Sequence, residues 1–105
     1  MEILEKRLYY IDLLHLYGEL LSVTQKDILK DNLEFDLSLS EIASNREISR
    51  AAVEDALKKG MKKLDELELK LALFQKRSTI LDNVTFLKEK LGDHEELRKI
   101  EEVIK

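Results

Sequence analysis

Apolar residues recur along this chain at steps of three and four, with no sustained alternation of period two, so the pattern is helical nearly throughout. Over 2–17, Leu4, Leu8, Ile11 and Leu14 keep helical spacing and Leu21 continues it, while Tyr9, Tyr10, Leu13, Leu16 and Tyr17 widen the apolar surface beyond one stripe. A helix this apolar calls for cover on two sides. Gly18 marks its end or a bend. A second helix is expected over about 24–33 with Ile28 and Leu29 inward, followed by a connecting loop over 32–37.

The stretch 38–63 reads as a short helix, a tight turn and a second helix. Ser38 and Glu41 have the spacing of a capping box, in which each side chain accepts from the other residue's backbone N–H. Leu39, Ile42 and Ala43 supply one apolar side. Asn45, Arg46 and Glu47 interrupt it, and Asn45 is the residue type that tolerates a left-handed end. Ser49 is a suitable N-cap for the next helix, with Ile48 placed to staple against Val53. From there Val53, Leu57, Gly60, Leu64, Leu67, Leu71 and Phe74 alternate steps of four and three, close to the period of a coiled-coil seam. The spacing predicts one helix over 49–77, about 43 Å long at 1.5 Å per residue. Gly60 would let another helix approach closely. Part of the seam can pack within the chain, but a helix of this length outruns a small core, so a homodimer is expected.

Beyond 75–79 the register slips to Ile80, Val84, Leu87 and Leu91, and Thr79 with Asp82 offers a new cap. Gly92 closes that helix. Asp93 with Glu96 opens a last one carrying Leu97, Ile100 and Ile104. The fold expected is all-α, with five to six helices: a helix-turn-helix domain over 1–78 and a C-terminal helical extension of the same domain over 79–105.

Composition agrees: 105 residues contain no proline, three glycines, 44% hydrophobic and 38% charged side chains. The absence of cysteine removes disulfides and thiolate chemistry. The chain opens on an acidic, helix-like segment, and no apolar run nears the roughly 18 residues of a membrane span, so no membrane insertion and a cytoplasmic location are expected. Neither His15 nor His94 belongs to a ligand pair, and no glycine-rich phosphate loop or nucleophile elbow occurs. Carboxylates alternate with lysines at helical spacing, as in Glu66–Lys70 and Glu95–Lys99, which describes solvated helix faces. Neither an enzyme nor a cofactor or metal site is expected.

A net charge of −4 means that a polyanion binder must concentrate its positive charge locally. The second helix of the motif does so. With Val53, Ala56, Leu57 and Gly60 inward, it turns Arg50, Ala51, Glu54, Asp55, Lys58, Lys59 and Lys62 outward. Arg50 can reach a guanine edge or a phosphate, and Ser49 with the first backbone N–H groups suits a phosphate. Lys58, Lys59 and Lys62, with Lys63 behind them, can contact backbone phosphate. Glu54 and Asp55 oppose a polyanion except where one accepts from a cytosine amino group. The candidate DNA-binding residues are therefore Ser49, Arg50, Lys58, Lys59 and Lys62, with double-stranded DNA as the partner. The competing expectation is a protein-interaction module that keeps the motif as scaffold.

Several stretches, LYGELL (16–21), TQKD (24–27), LSLSEIA (37–43), ISRAAVEDALKK (48–59) and LELKLALFQK (67–76), resemble the YlxM-type family of small bacterial helix-turn-helix regulators. The motif itself is similar to region 4 of sigma factors. The resemblance covers about 13–77. It implies DNA binding, a regulatory role and a link to the signal recognition particle pathway, with a component of that particle as partner. Family relatives carry Ser-Arg-Gln-Ala-Val-Tyr-Asp at the recognition-helix start. Ser49, Arg50, Ala52, Val53 and Asp55 match this pattern, whereas Ala51 and Glu54 depart from it. A glutamine can read adenine bidentately; alanine offers only apolar contact to a thymine methyl.

Overall fold

Serine caps set the starts of three successive helices in the computed structural model, which describes residues 2–105. After α1 (Ile3–Tyr17) the chain makes a short 3-10 turn, Gly18–Leu20, and α2 (Val23–Leu33) opens at Ser22. Ser22 Oγ accepts from Gln25 N–H at 3.1 Å and Gln25 Oε1 accepts from Ser22 N–H at 3.3 Å. The expected box at Ser38 forms in the same way, 3.1 Å in each direction with Glu41, and opens α3 (Leu39–Arg46). At α4 (Arg50–Leu71), Ser49 Oγ accepts from Ala52 N–H at 3.0 Å. With α5 (Leu73–Leu91) and α6 (Glu95–Ile104) the described residues hold six α-helices and no strand. None of these helices is long and apolar enough to cross a membrane.

The chain divides into two compact units, one ending at Leu71 and the other Ala72–Lys105. In the first, α4 packs against each of the three preceding helices. Leu13, Leu14 and Tyr17 of α1, Ile28, Leu29 and Leu33 of α2, Ile42 of α3, and Val53 and Leu64 of α4 are buried together in the core. Gly60 is the point of closest approach: a Cβ there would lie 2.6 Å from Leu29 Cδ1. The seam of α4 as far as Leu64 is thus spent inside its own unit. Two tyrosines tie α1 to α4, Tyr10 donating to Asp65 Oδ1 at 2.9 Å and Tyr17 to Glu68 Oε1 at 2.7 Å. Arg7 Nε donates to the Leu33 carbonyl at 2.8 Å, closing α1 onto the end of α2.

The single helix expected over 49–77 is interrupted. It stops at Leu71, and Ala72 takes the left-handed conformation (φ 53°, ψ 34°), which breaks the hydrogen-bond ladder. The break falls past Leu64, the last seam residue with no exposed surface, at a site with no glycine, asparagine or proline. The new start expected near 79 is absent for a related reason: Thr79 lies inside α5, its Oγ1 accepting from Gln75 Nε2 at 3.2 Å and its carbonyl from Asn83 Nδ2 at 2.8 Å.

In the second unit α5 and α6 form a hairpin. Gly92 ends α5 with φ 81°, a conformation that suits glycine. The residue preceding α6 is His94 rather than Asp93, whose carboxylate lies 3.6 Å from Arg98. Val84 and Leu97, one from each helix, are the buried apolar residues of this unit, and Lys88 of α5 pairs with Glu101 of α6.

Candidate nucleic-acid interface

The motif depends first on how α3 stops. Ile48 N–H donates to the Ala43 carbonyl at 3.1 Å and Glu47 N–H to the Ser44 carbonyl at 3.4 Å, the pattern of a Schellman end. The left-handed residue in it is Glu47 (φ 56°), not Asn45, which remains within the helix. Two residues later Ser49 caps α4. The turn is therefore three residues, 47–49, and its geometry is held from below by Ile28, Ile42 and Val53, all essentially inaccessible. Leu37, Leu39, Ala43, Ala56 and Leu57 pack around that cluster. Ala56 and Leu57 are half-buried, so the expected inward set of α4 is inward.

This packing leaves Ser49, Arg50, Ala51, Glu54, Asp55, Lys58, Lys59, Lys62 and Lys63 exposed at the cap and along the first 14 residues of α4. Four of the five sequence-predicted contact residues lie on α4, and the fifth, Ser49, is its cap. Ser49 Oγ accepts the cap hydrogen bond, which leaves its own proton free to donate. The unsatisfied N–H groups of the first turn add the positive end of the helix dipole beside it. Lys58 Nζ lies 3.3 Å from Glu54 and Lys59 Nζ 3.0 Å from Asp55, one helical turn back in each case. Exposed pairs of this kind contribute about 0.3–0.5 kcal/mol and weaken with salt. They hold the lysines in place without removing them from competition for phosphate. Arg50, Lys62 and Lys63 have no ion-pair partner among the described residues. Residues 49–63 thus set five cations against two carboxylates in a chain that is otherwise acidic.

Arg46, at the end of α3, is held away from this face: its Nε donates to Asp31 at 2.6 Å, and that hydrogen bond raises the guanidinium pKa further. One feature escapes the sequence pattern. A shallow groove of about 520 Å³ lies beside α4, lined by Leu39, Leu57 and Met61 and by the charged Glu54, Lys58, Lys62 and Asp65. Met61 stands one turn beyond Leu57, the spacing by which it could have been found. In a second, more polar pocket of about 320 Å³ between α1 and α2, His15 Nε2 lies 2.6 Å from Glu34 Oε1 and Lys26 pairs with Glu19. His15 is exposed there rather than enclosed in the apolar helix face.

Comparison with known proteins bears on this geometry. The profile of the UPF0122 family, described as "Putative helix-turn-helix protein, YlxM / p13 like", matches residues 4–104. A UPF0122 protein of Fusobacterium nucleatum is 42% identical over 87 residues, 83% of this chain and 84% of the relative. One from Mycoplasma mycoides is 37% identical over 103 residues, 97% and 91% of the two chains. Another, from Clostridium acetobutylicum, is 33% identical over 109 residues, 97% and 94%. No solved structure matches.

Proposed function

The chain belongs to the UPF0122 family of YlxM-like helix-turn-helix proteins, and from that premise we propose that it is a regulatory protein that binds double-stranded DNA through α4. The observation that carries this reading is the capped motif whose second helix exposes Arg50, Lys58, Lys59 and Lys62 over a buried cluster of Ile28, Ile42 and Val53. Ser49 and the first turn of α4 meet a phosphate, Arg50 reaches a base edge in the major groove, and the three lysines fix the register on the backbone. Such binding needs no cofactor, and the role is non-enzymatic. With Ala51 and Glu54 on the same turn, base readout falls mainly to Arg50, so the contribution of backbone phosphates dominates affinity.

Fluorescence anisotropy with a labelled duplex tests this. Three phosphates neutralised by Lys58, Lys59 and Lys62 predict a slope of about −2.7 in log K against log salt concentration. Arg50→Ala is expected to cost about 1–3 kcal/mol on a preferred sequence. Absence of duplex binding at low salt contradicts the reading.

One observation favours a second reading. The outward carboxylates Glu54 and Asp55 pair with Lys58 and Lys59 and offset part of their charge. A protein-interaction module of the protein-targeting pathway, as resemblance to the YlxM type implies, would tolerate this mixed face. That reading expects a signal recognition particle component to be retained by the full chain and the duplex to be ignored.

A further inference from the structure

Two shallow depressions in the unit ending at Leu71 share Asn32 and Met61 in their walls. One is the groove of about 520 Å³ beside α4. The other, of about 230 Å³, extends to Ile3 at the start of α1, whose side chain is 91% exposed. Apolar side chains line both: Leu39, Leu57 and Met61 in the first, Ile3, Leu33 and Met61 in the second. Along α4 this trough runs from Glu54 to Asp65, eleven residues apart. At 1.5 Å per residue that is about 16 Å, the length of three helical turns.

Shape and charge together say what fits. An open trough encloses too little of a small molecule to hold it, since ligand sites bury most of their ligand's surface. It suits an amphipathic helix laid along it, with apolar side chains one turn apart reaching the floor. Each carboxylate in the lining already has a partner: Asp36 lies 3.5 Å from Arg7, Glu54 lies 3.3 Å from Lys58, and Asp65 accepts from Tyr10 at 2.9 Å. Lys6 and Lys62, one in each depression, are exposed and have no ion-pair partner among the described residues. The lining thus sets four cations against three carboxylates, in a unit whose residues 1–71 hold eleven basic and fifteen acidic side chains. This local reversal of sign, with two unpaired ammonium groups, calls for carboxylates on the occupant.

We propose that the trough is the docking site for an acidic amphipathic helix of a partner protein, its apolar stripe on Leu39, Leu57 and Met61 and its flanking carboxylates on Lys6 and Lys62. Lys58 and Lys62 also belong to the proposed duplex-binding face, so such a helix and a duplex compete. That competition rests on the duplex reading; the docking does not.

Heteronuclear NMR on the full chain tests this. The probe is a blocked synthetic peptide of about four helical turns, with leucines at steps of four and three and glutamates flanking them. It is expected to shift the backbone amides of Leu39, Leu57 and Met61 saturably. Lys6→Glu with Lys62→Glu is expected to weaken binding at least ~tenfold, with helical circular dichroism retained. The same peptide with lysines for glutamates, or with serines for leucines, is expected to leave those amides in place. No shift at about millimolar glutamate peptide overturns the proposal, this being the weakest affinity a useful contact shows. An equal response to the lysine peptide, or indifference to the double substitution, overturns it too. Shifts of the same amides with protein concentration alone, in the absence of peptide, give the trough to a second copy of this chain and also overturn it. Docking of the glutamate peptide by a chain that ignores duplex DNA supports the proposal and refutes the duplex reading alone.

Discussion

Glu47 and Gly60 show how single positions decide the geometry of the motif. Glu47 occupies the left-handed site that ends α3, where glycine is the usual residue and any residue with a Cβ is disfavoured. Glu47→Gly is expected to raise the stability of the chain by about 0.5–1 kcal/mol in urea denaturation, the relief of strain exceeding the added freedom of the unfolded chain. Glu47→Val is expected to lower it. Gly60→Ala should act in the opposite direction from its helix propensity. Alanine gains about 1 kcal/mol intrinsically, but its Cβ would sit 2.6 Å from Leu29 Cδ1 and 3.3 Å from Leu29 Cγ in a side chain with no free surface. A net loss of about 1–2 kcal/mol is expected. The close approach at Gly60 was legible from its place in the apolar seam. The left-handed position was not: the Asx preference pointed to Asn45, while tertiary packing of Ile42 against Val53 set the turn two residues later.

At the scale of elements, the caps were the most readable signals. The boxes at Ser38 and the cap at Ser49 form as their spacing requires, because a side-chain oxygen three residues ahead of a free N–H acts locally. The end of α4 was not readable, since Ala72 is a strong helix former adopting a left-handed conformation with no local marker. Nor did apolar periodicity reveal the polar links between α1 and α4. Tyr10 donates to both Asp65 oxygens, and its phenol is pushed up to about 12 by burial, then by the hydrogen bond and charge of Asp65. The tyrosine of the unfolded chain ionises near its ordinary value of 10. The linkage therefore contributes stability in full below pH 10 and loses it as pH rises towards 12. Urea midpoints measured across that range should fall less steeply in Tyr10→Phe than in the wild type. Tyr9, also raised by burial and then by Glu68 and Asp65, keeps part of the slope. At the acid end, Glu101 is held below its usual value chiefly by its bond to Lys88, so the α5–α6 contact should weaken as pH falls through the carboxylate range.

At the scale of the whole molecule, the chain combines two units with different charge and different spare surface. The unit ending at Leu71 carries the motif and concentrates cations over residues 50–63 of α4; Ala72–Lys105 is neutral and leaves an apolar seam partly open. The all-α class and the motif were legible because both follow from local periodicity and caps. The division at 71/72 was not, because it depends on where side chains cease to be buried rather than on any breaker in the sequence. The candidate interface was legible as a set of residues, and the ion pairs of Lys58 and Lys59 qualify how strongly each can act. Lys62→Ala should weaken duplex binding uniformly across sequences and reduce the salt slope by about 1. Arg50→Ala should also relax sequence preference.

Anisotropy titration of the full chain and of Arg50→Ala onto a labelled duplex pool, at salt concentrations from about 50 to 200 mM, decides whether the cationic face of α4 binds duplex DNA. Binding is expected to weaken steeply with salt, with Arg50→Ala weaker at every concentration. Flat anisotropy at the lowest salt, or equal affinities for wild type and Arg50→Ala throughout, would contradict it.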